Sequence, residues 1–126
     1  MGDRANVVIK NGDSEVFLYT HWGGTELPEA VTAALRRGVQ RWTDASYLAR
    51  IVFCEMVSED DWDGLTGYGI SASIGDNSYP LIVLDTDKQE VRFEAEKDRE
   101  VLKGPIPFKE VLTTVLEYPE SDPESD

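Results

Sequence analysis

The feature that most constrains this fold is a turn signal close to the N-terminus. Asn11-Gly12-Asp13 sits between Ala5–Lys10 and Glu15–Tyr19, two segments rich in Val, Ile, Phe and Leu. Asn-Gly between apolar runs favours a tight reversal, because glycine takes positive φ without a Cβ penalty. The pattern predicts a β-hairpin with Asn11-Gly12 at its turn. In the first strand Val7 and Ile9 alternate with Val8 and Lys10; in the second, Val16 and Leu18 alternate with Phe17 and Tyr19. Apolar groups on both faces predict a central hairpin that is partly covered on each side. Antiparallel register also has a consequence at the open end, where Arg4 falls beside Thr20–His21.

The second strand runs into His21-Trp22-Gly23-Gly24, and Pro28 then suits the first turn of a helix. Leu27, Val31, Ala34, Leu35, Val39 and Trp42 recur at helical spacing, with Gly38 weakening or ending the last turn. Thr43 and Asp44 can cap a second helix bearing Leu48, Ile51, Val52 and Met56, although Ile51–Cys54 is also compatible with a buried strand. Ser58–Gly67 reads as a polar acidic loop. Tyr68, Ile70, Ala72 and Ile74 alternate as in a half-buried strand, and Gly75–Ser78 forms a turn by composition. Pro80–Asp85 is a continuous apolar strand, Asp85–Lys88 turns again, and Val91, Phe93 and Ala95 mark a fifth strand. Asp98–Gly104 reads as a charged connection. Pro107 would open a last helix with Phe108, Val111, Leu112, Val115 and Leu116 inward. The expectation is one α+β domain over residues 1–117, a mainly antiparallel sheet of about five strands with two to three helices in the order β-β-α-α-β-β-β-α, then a disordered acidic tail at 118–126.

The 126 residues carry 25 Asp and Glu against 12 Lys and Arg, a net charge of −13. That balance excludes unspecific binding to nucleic-acid phosphate, which depends on cations displacing counterions. It leaves solubility, or a decoy that imitates or repels nucleic acid. The single cysteine, Cys54, excludes a disulfide framework and a multi-cysteine zinc site. No apolar run reaches membrane-spanning length, and Met1-Gly2-Asp3-Arg4 lacks the layout of a signal peptide. A cytoplasmic protein is expected.

His21 is the only histidine and could be a general base, a metal ligand or a hydrogen-bonded structural side chain. Glu55 falls on the apolar side of its helix, where a carboxylate needs a partner; Arg4 and Arg50 are the conceivable ones. Residues 59–64 invite comparison with a calcium loop, but the twelfth position is Ile70 where a bidentate Glu is required. No G-x-G-x-x-G, phosphate-loop, zincin or nucleophile-elbow pattern occurs. Cys54 or a serine could pair only with His21, and Cys54 lies in an apolar run that suits a structural thiol.

The Gly2-Asp3-Arg4-Ala5-Asn6-Val7-Val8 opening, Tyr19-Thr20-His21-Trp22-Gly23-Gly24 and Gly75-Asp76-Asn77 together resemble a family of small uncharacterised proteins of actinobacteria and their bacteriophages, over about residues 2–95. The resemblance implies a phage-related setting, and host cytoplasm as the location, and brings no catalytic residue with it. The leading expectation from the residues is a small binding protein without cofactor or metal, its pocket formed by Arg4, His21, Trp22, Arg50 and Tyr79. An aromatic face beside arginine suits a nucleotide-like ligand, by stacking and phosphate pairing. In the phage setting such a protein would sequester a signalling nucleotide or act against a host defence pathway. The alternatives are an acidic protein-interaction module that binds a basic host protein by nucleic-acid mimicry, and a hydrolase or metal enzyme using His21 with acids such as Glu55 or Asp76.

Overall fold

The structure, a computed structural model, describes residues 3–57, 67–75 and 77–119. Its centre is one six-stranded sheet in the order β3-β2-β1-β4-β5-β6. The strands are β1 (Ala5–Asn11), β2 (Ser14–Thr20), β3 (Tyr68–Ser71), β4 (Leu81–Asp85), β5 (Glu90–Glu94) and β6 (Val101–Pro107). Only β1 and β4 pair in parallel. Two helices, α1 (Leu27–Arg37) and α2 (Ala45–Met56), join β2 to β3, with a short 3-10 turn at Val39–Arg41 between them. The architecture is α+β, as expected, with one strand more. Among the described residues, no helix is long and apolar enough to cross a membrane.

The first hairpin is present, but its turn sits one residue later than Asn11-Gly12. Asn11 pairs with Ser14, so Gly12-Asp13 is the two-residue loop. Gly12 has φ 62°, and no other residue of that turn has positive φ. Positive φ confined to a first-position glycine is the II′ pattern, whose twist matches the flanking strands. The tip is tied down: Gly12 N–H donates to Asp87 Oδ2 at 2.5 Å, and Thr86 N–H donates to the Lys10 carbonyl at 2.9 Å.

Both helices follow their signals. Pro28 lies in the first turn of α1 and Gly38 ends it. The Asp44 carboxylate accepts from Tyr47 N–H at 3.3 Å, capping α2, and Ile51–Cys54 is helical within it. The helices cover one face of the sheet. Val7, Ile9, Leu18, Ile82, Leu84 and Phe93 meet Val31, Leu35, Leu48 and Val52 there, with Phe108 and Val111 closing one end.

The other face has a small apolar cluster of Val8, Phe17, Leu81 and Val83. Charge surrounds it. Arg92 bonds Asp85, Glu90 and Glu94 at 2.9–3.1 Å. Arg99 bonds Glu94 on β5 at 2.6 Å and Glu15 on β2 at 2.7 Å, so its side chain bridges strands separated by β1 and β4. The hydrogen bond from Arg99 holds the Glu15 carboxyl below its ordinary range against the opposing effect of burial. The hairpin is therefore central and covered on both sides, by helices on one and by ionic side chains on the other.

Four local expectations are corrected. Val101–Pro107, within and beyond the supposed charged connection, is strand β6, whose pairing with β5 is irregular at Val91–Glu94. Ile70 and Ala72 are exposed rather than half-buried, because β3 is a four-residue edge strand extending past α2. After Pro107 the chain forms a short 3-10 turn, Phe108–Leu112, in place of an α-helix. Its tighter winding buries Phe108 and Val111 but leaves Leu112 and Val115 exposed. Tyr118, assigned to the tail, packs on the body against Tyr79 and Phe93. Residues 120–126 of the acidic tail, residues 58–66 of the polar loop and Asp76 lie outside the described residues.

Candidate functional site

The open end of the first hairpin is where the candidate residues converge. The register Ala5↔Thr20 places Arg4 opposite His21, and Arg4 Nε–H donates to His21 Nδ1 at 3.2 Å. The Tyr19 hydroxyl lies 2.9 Å from the same nitrogen. A guanidinium N–H can only donate, so Nδ1 is the acceptor and the imidazole proton resides on Nε2. The His21 ring stands edge-on to Trp22, with centroids 4.9 Å apart and planes at 84°. The His21 backbone N–H donates to the Gly67 carbonyl at 2.7 Å, extending the β2–β3 ladder by one pair.

Gly67 in turn forms a seat for Trp22. A Cβ at Gly67 would lie 2.2 Å from the indole carbons, so only glycine allows this approach. The indole is held between His21 and the Gly67 backbone, yet Trp22 remains 62% exposed. It is not a core tryptophan, unlike Trp42, whose Nε1–H donates to the Leu35 carbonyl at 2.9 Å.

Trp22 borders a cleft of about 380 Å³ between the start of α1, the end of α2 and β3. Tyr68 and Met56 add apolar surface, and Glu26, Glu29 and Glu55 supply carboxylates. Glu55 pairs with Arg37 across the two helices at 2.6 Å, rather than with Arg4 or Arg50. The helix–helix contact sets that choice, because α1 and α2 pack directly. No cationic side chain lines the cleft among the described residues. Arg4 and His21 stand behind Trp22 and do not line it, and Arg50 is exposed on α2 outside it.

Tyr79 belongs to the opposite flank. Its hydroxyl donates to Asp3 Oδ1 at 2.5 Å and lies 2.9 Å from Thr25 Oγ1, while its ring stacks on Tyr118 at 4.7 Å. The Tyr118 hydroxyl donates to the Gly24 carbonyl at 2.7 Å. Gly24 N–H donates to the Asp3 carbonyl at 2.7 Å. The carboxylate beside it raises the Tyr79 phenol, and burial raises that of Tyr118. At Asp3 burial pushes upward, but the bonds from Tyr79 and Thr25 together hold the carboxyl below its ordinary value. This flank is a clasp that joins Asp3, the loop before α1 and Tyr118.

Of the five residues singled out in the sequence, the structure therefore joins Arg4, His21 and Trp22 and separates Arg50 and Tyr79. The sequence reading missed Glu26, Glu29, Met56 and Tyr68 as cleft residues. Glu26 and Glu29 carried a weak signal, as acids at a helix start, which ordinarily only complement the helix dipole.

Among the described residues no group of three His, Cys, Asp or Glu side chains is placed to hold a metal. Ring contacts of His21 in that set are with Arg4, Tyr19 and Trp22, none of them an acid. Cys54 is half-buried and free. No family model, curated protein or solved structure matches the chain.

Proposed function

We propose that the protein is an acidic interaction module that engages a basic protein partner at the Trp22 cleft. The observation that carries this reading is a 62% exposed indole, packed against His21 and Gly67, at the rim of a cleft that Glu26 and Glu29 line and that, among the described residues, no cationic side chain lines. An exposed aromatic held by its neighbours is the form of a binding anchor, since little conformational entropy is lost on docking. A lysine or arginine side chain over an indole gains cation–π attraction, and nearby carboxylates add charge-assisted hydrogen bonds. The net charge of −13 would steer such a partner inward. In a phage setting, the basic partner would be a host protein.

A nucleotide-like ligand is the second reading. The direct Arg4–His21–Trp22 succession favours it. The cleft under Trp22 disfavours it, because Glu26 and Glu29 would face the phosphates and Arg4 stands outside that space.

Surface plasmon resonance with an immobilised hexa-arginine peptide separates the two. Wild type should bind, and Glu26→Lys with Glu29→Lys should weaken binding at least about tenfold, or 1.4 kcal/mol. Equal binding by the charge-reversed variant would remove the cleft from the account.

A further inference from the structure

The two edges of the sheet differ in kind. β6 carries Pro105 and Pro107, which have no N–H to offer a neighbouring strand. β3, Tyr68-Gly69-Ile70-Ser71, has neither proline nor charge, the two usual guards of an exposed edge. Among the described residues β3 pairs with β2 alone.

Backbone direction along β3 follows from one hydrogen bond. His21 N–H donates to the Gly67 carbonyl, which makes His21–Gly67 a hydrogen-bonded pair. Antiparallel alternation then makes Tyr19–Gly69 and Phe17–Ser71 the next such pairs. Gly69 and Ser71 thus direct their N–H and C=O groups to β2, while Ile70 directs its own outward. The Ile70 side chain is 63% exposed. It shares its face of the sheet with Tyr68, a cleft residue about 7 Å away at the usual strand rise.

We propose that β3 accepts an extended, basic segment of the partner as an added strand, with apolar side chains over Ile70 and a cationic one reaching the Trp22 cleft. The proposal rests on the basic-partner reading above. Charge selects the occupant. A second copy of this chain would bring another net −13, and its own Glu26, Glu29 and Glu55, against the first. A basic segment meets those carboxylates with opposite charge. Main-chain bonds along the edge supply affinity, and alternate side chains supply specificity.

The test uses a capped, fluorescently labelled Lys-Thr-Val-Thr-Lys peptide, which sets lysine and valine on the same face of an added strand, with anisotropy as the readout. Ile70→Pro removes an outward N–H and trims the apolar side chain, while the bonds of Gly69 and Ser71 to β2 are kept. It should weaken binding at least about tenfold. Ile70→Glu should also weaken binding, although it adds an attractive charge, because it removes the apolar contact. In wild type the Ile70 amide should become protected from hydrogen exchange when the peptide binds. If Ile70→Glu tightens binding and the Ile70 amide stays unprotected, strand addition is overturned, while the cleft reading stands. If the peptide fails to bind wild type, or binds Trp22→Ala equally well, both are overturned. Should Ile70→Pro unfold, Ile70→Glu and the amide decide.

Discussion

Two flanks of the hairpin's open end make opposite use of similar residues. On one, Tyr79 and Tyr118 are stacked, and their hydroxyls are bonded to Asp3, Thr25 and Gly24. On the other, Trp22 is fixed by His21 and Gly67 but turns its ring to solvent above carboxylates. The clasp pairs its hydroxyls internally and stacks its half-buried rings on each other, so it contributes to stability. Among the described residues, the cleft leaves an aromatic face and two carboxylates, Glu26 and Glu29, without an internal cation, so its capacity is directed outward. Whether an aromatic side chain serves fold or function here depends on which of its contacts the chain itself completes.

Substitutions can break this contrast, and the largest effect belongs to the clasp. Tyr118→Ala removes a ring stacked on Tyr79 and edge-on to Phe93. It should cost about 3 kcal/mol in urea unfolding, the lower end for a buried aromatic. A loss near zero would show that Tyr118 is dispensable. Gly24→Ala should come next. Its Cβ would lie 2.6 Å from the Asp3 carbonyl oxygen and 2.7 Å from the Tyr79 ring, so backbone must shift. We expect a loss of about 1–3 kcal/mol in the same assay.

Acid should then loosen the clasp. The folded Asp3 carboxyl titrates below its ordinary value of 3.8. A depressed carboxyl stabilises the fold above its unfolded pKa, and that contribution is lost as pH falls through the folded value. Melting temperature should therefore decline below about pH 4, and Asp3→Asn should flatten that part of the curve. An unchanged slope in Asp3→Asn would place the acid sensitivity elsewhere, with Glu15 as a second carboxyl held below its ordinary range. The smallest stability effect belongs to the cleft. Trp22→Ala should change unfolding free energy by no more than about 0.5 kcal/mol, as for an exposed side chain, while weakening hexa-arginine binding. A large destabilisation would move Trp22 to the structural side of the comparison.

Much of the fold was legible because local signals agreed with the global packing. Gly12 marked the hairpin, Pro28 and Gly38 bracketed α1, and Asp44 announced α2. Pro80–Asp85 read as a continuous apolar strand, and Leu81–Asp85 is a buried one. β6 was illegible because Asp98–Gly104 reads as a charged connection, and only an edge position tolerates the prolines that follow. Ile70 was misjudged because period-two alternation reports a strand, not whether a helix covers it. At the site, antiparallel register alone brought Arg4 to His21, and that contact is present at 3.2 Å. The cleft depends on how α1 and α2 splay over β3, a long-range relation that no spacing in the chain encodes. Tyr79 and Arg50 were grouped with Trp22 by residue type, and type carries no information about distance.

The central claim is that the surface beside Trp22 takes a cation rather than an anion. The direct measurement follows the Trp22 indole N–H by heteronuclear NMR during two titrations, one with hexa-arginine and one with ATP. The account predicts that hexa-arginine shifts the Trp22 indole together with the amides of Glu26 and Glu29, and that this shift weakens at high salt, where exposed charges are screened. ATP should leave them in place. A shift of the Trp22 indole and the Arg4 and His21 amides with ATP, and none with hexa-arginine, would contradict it.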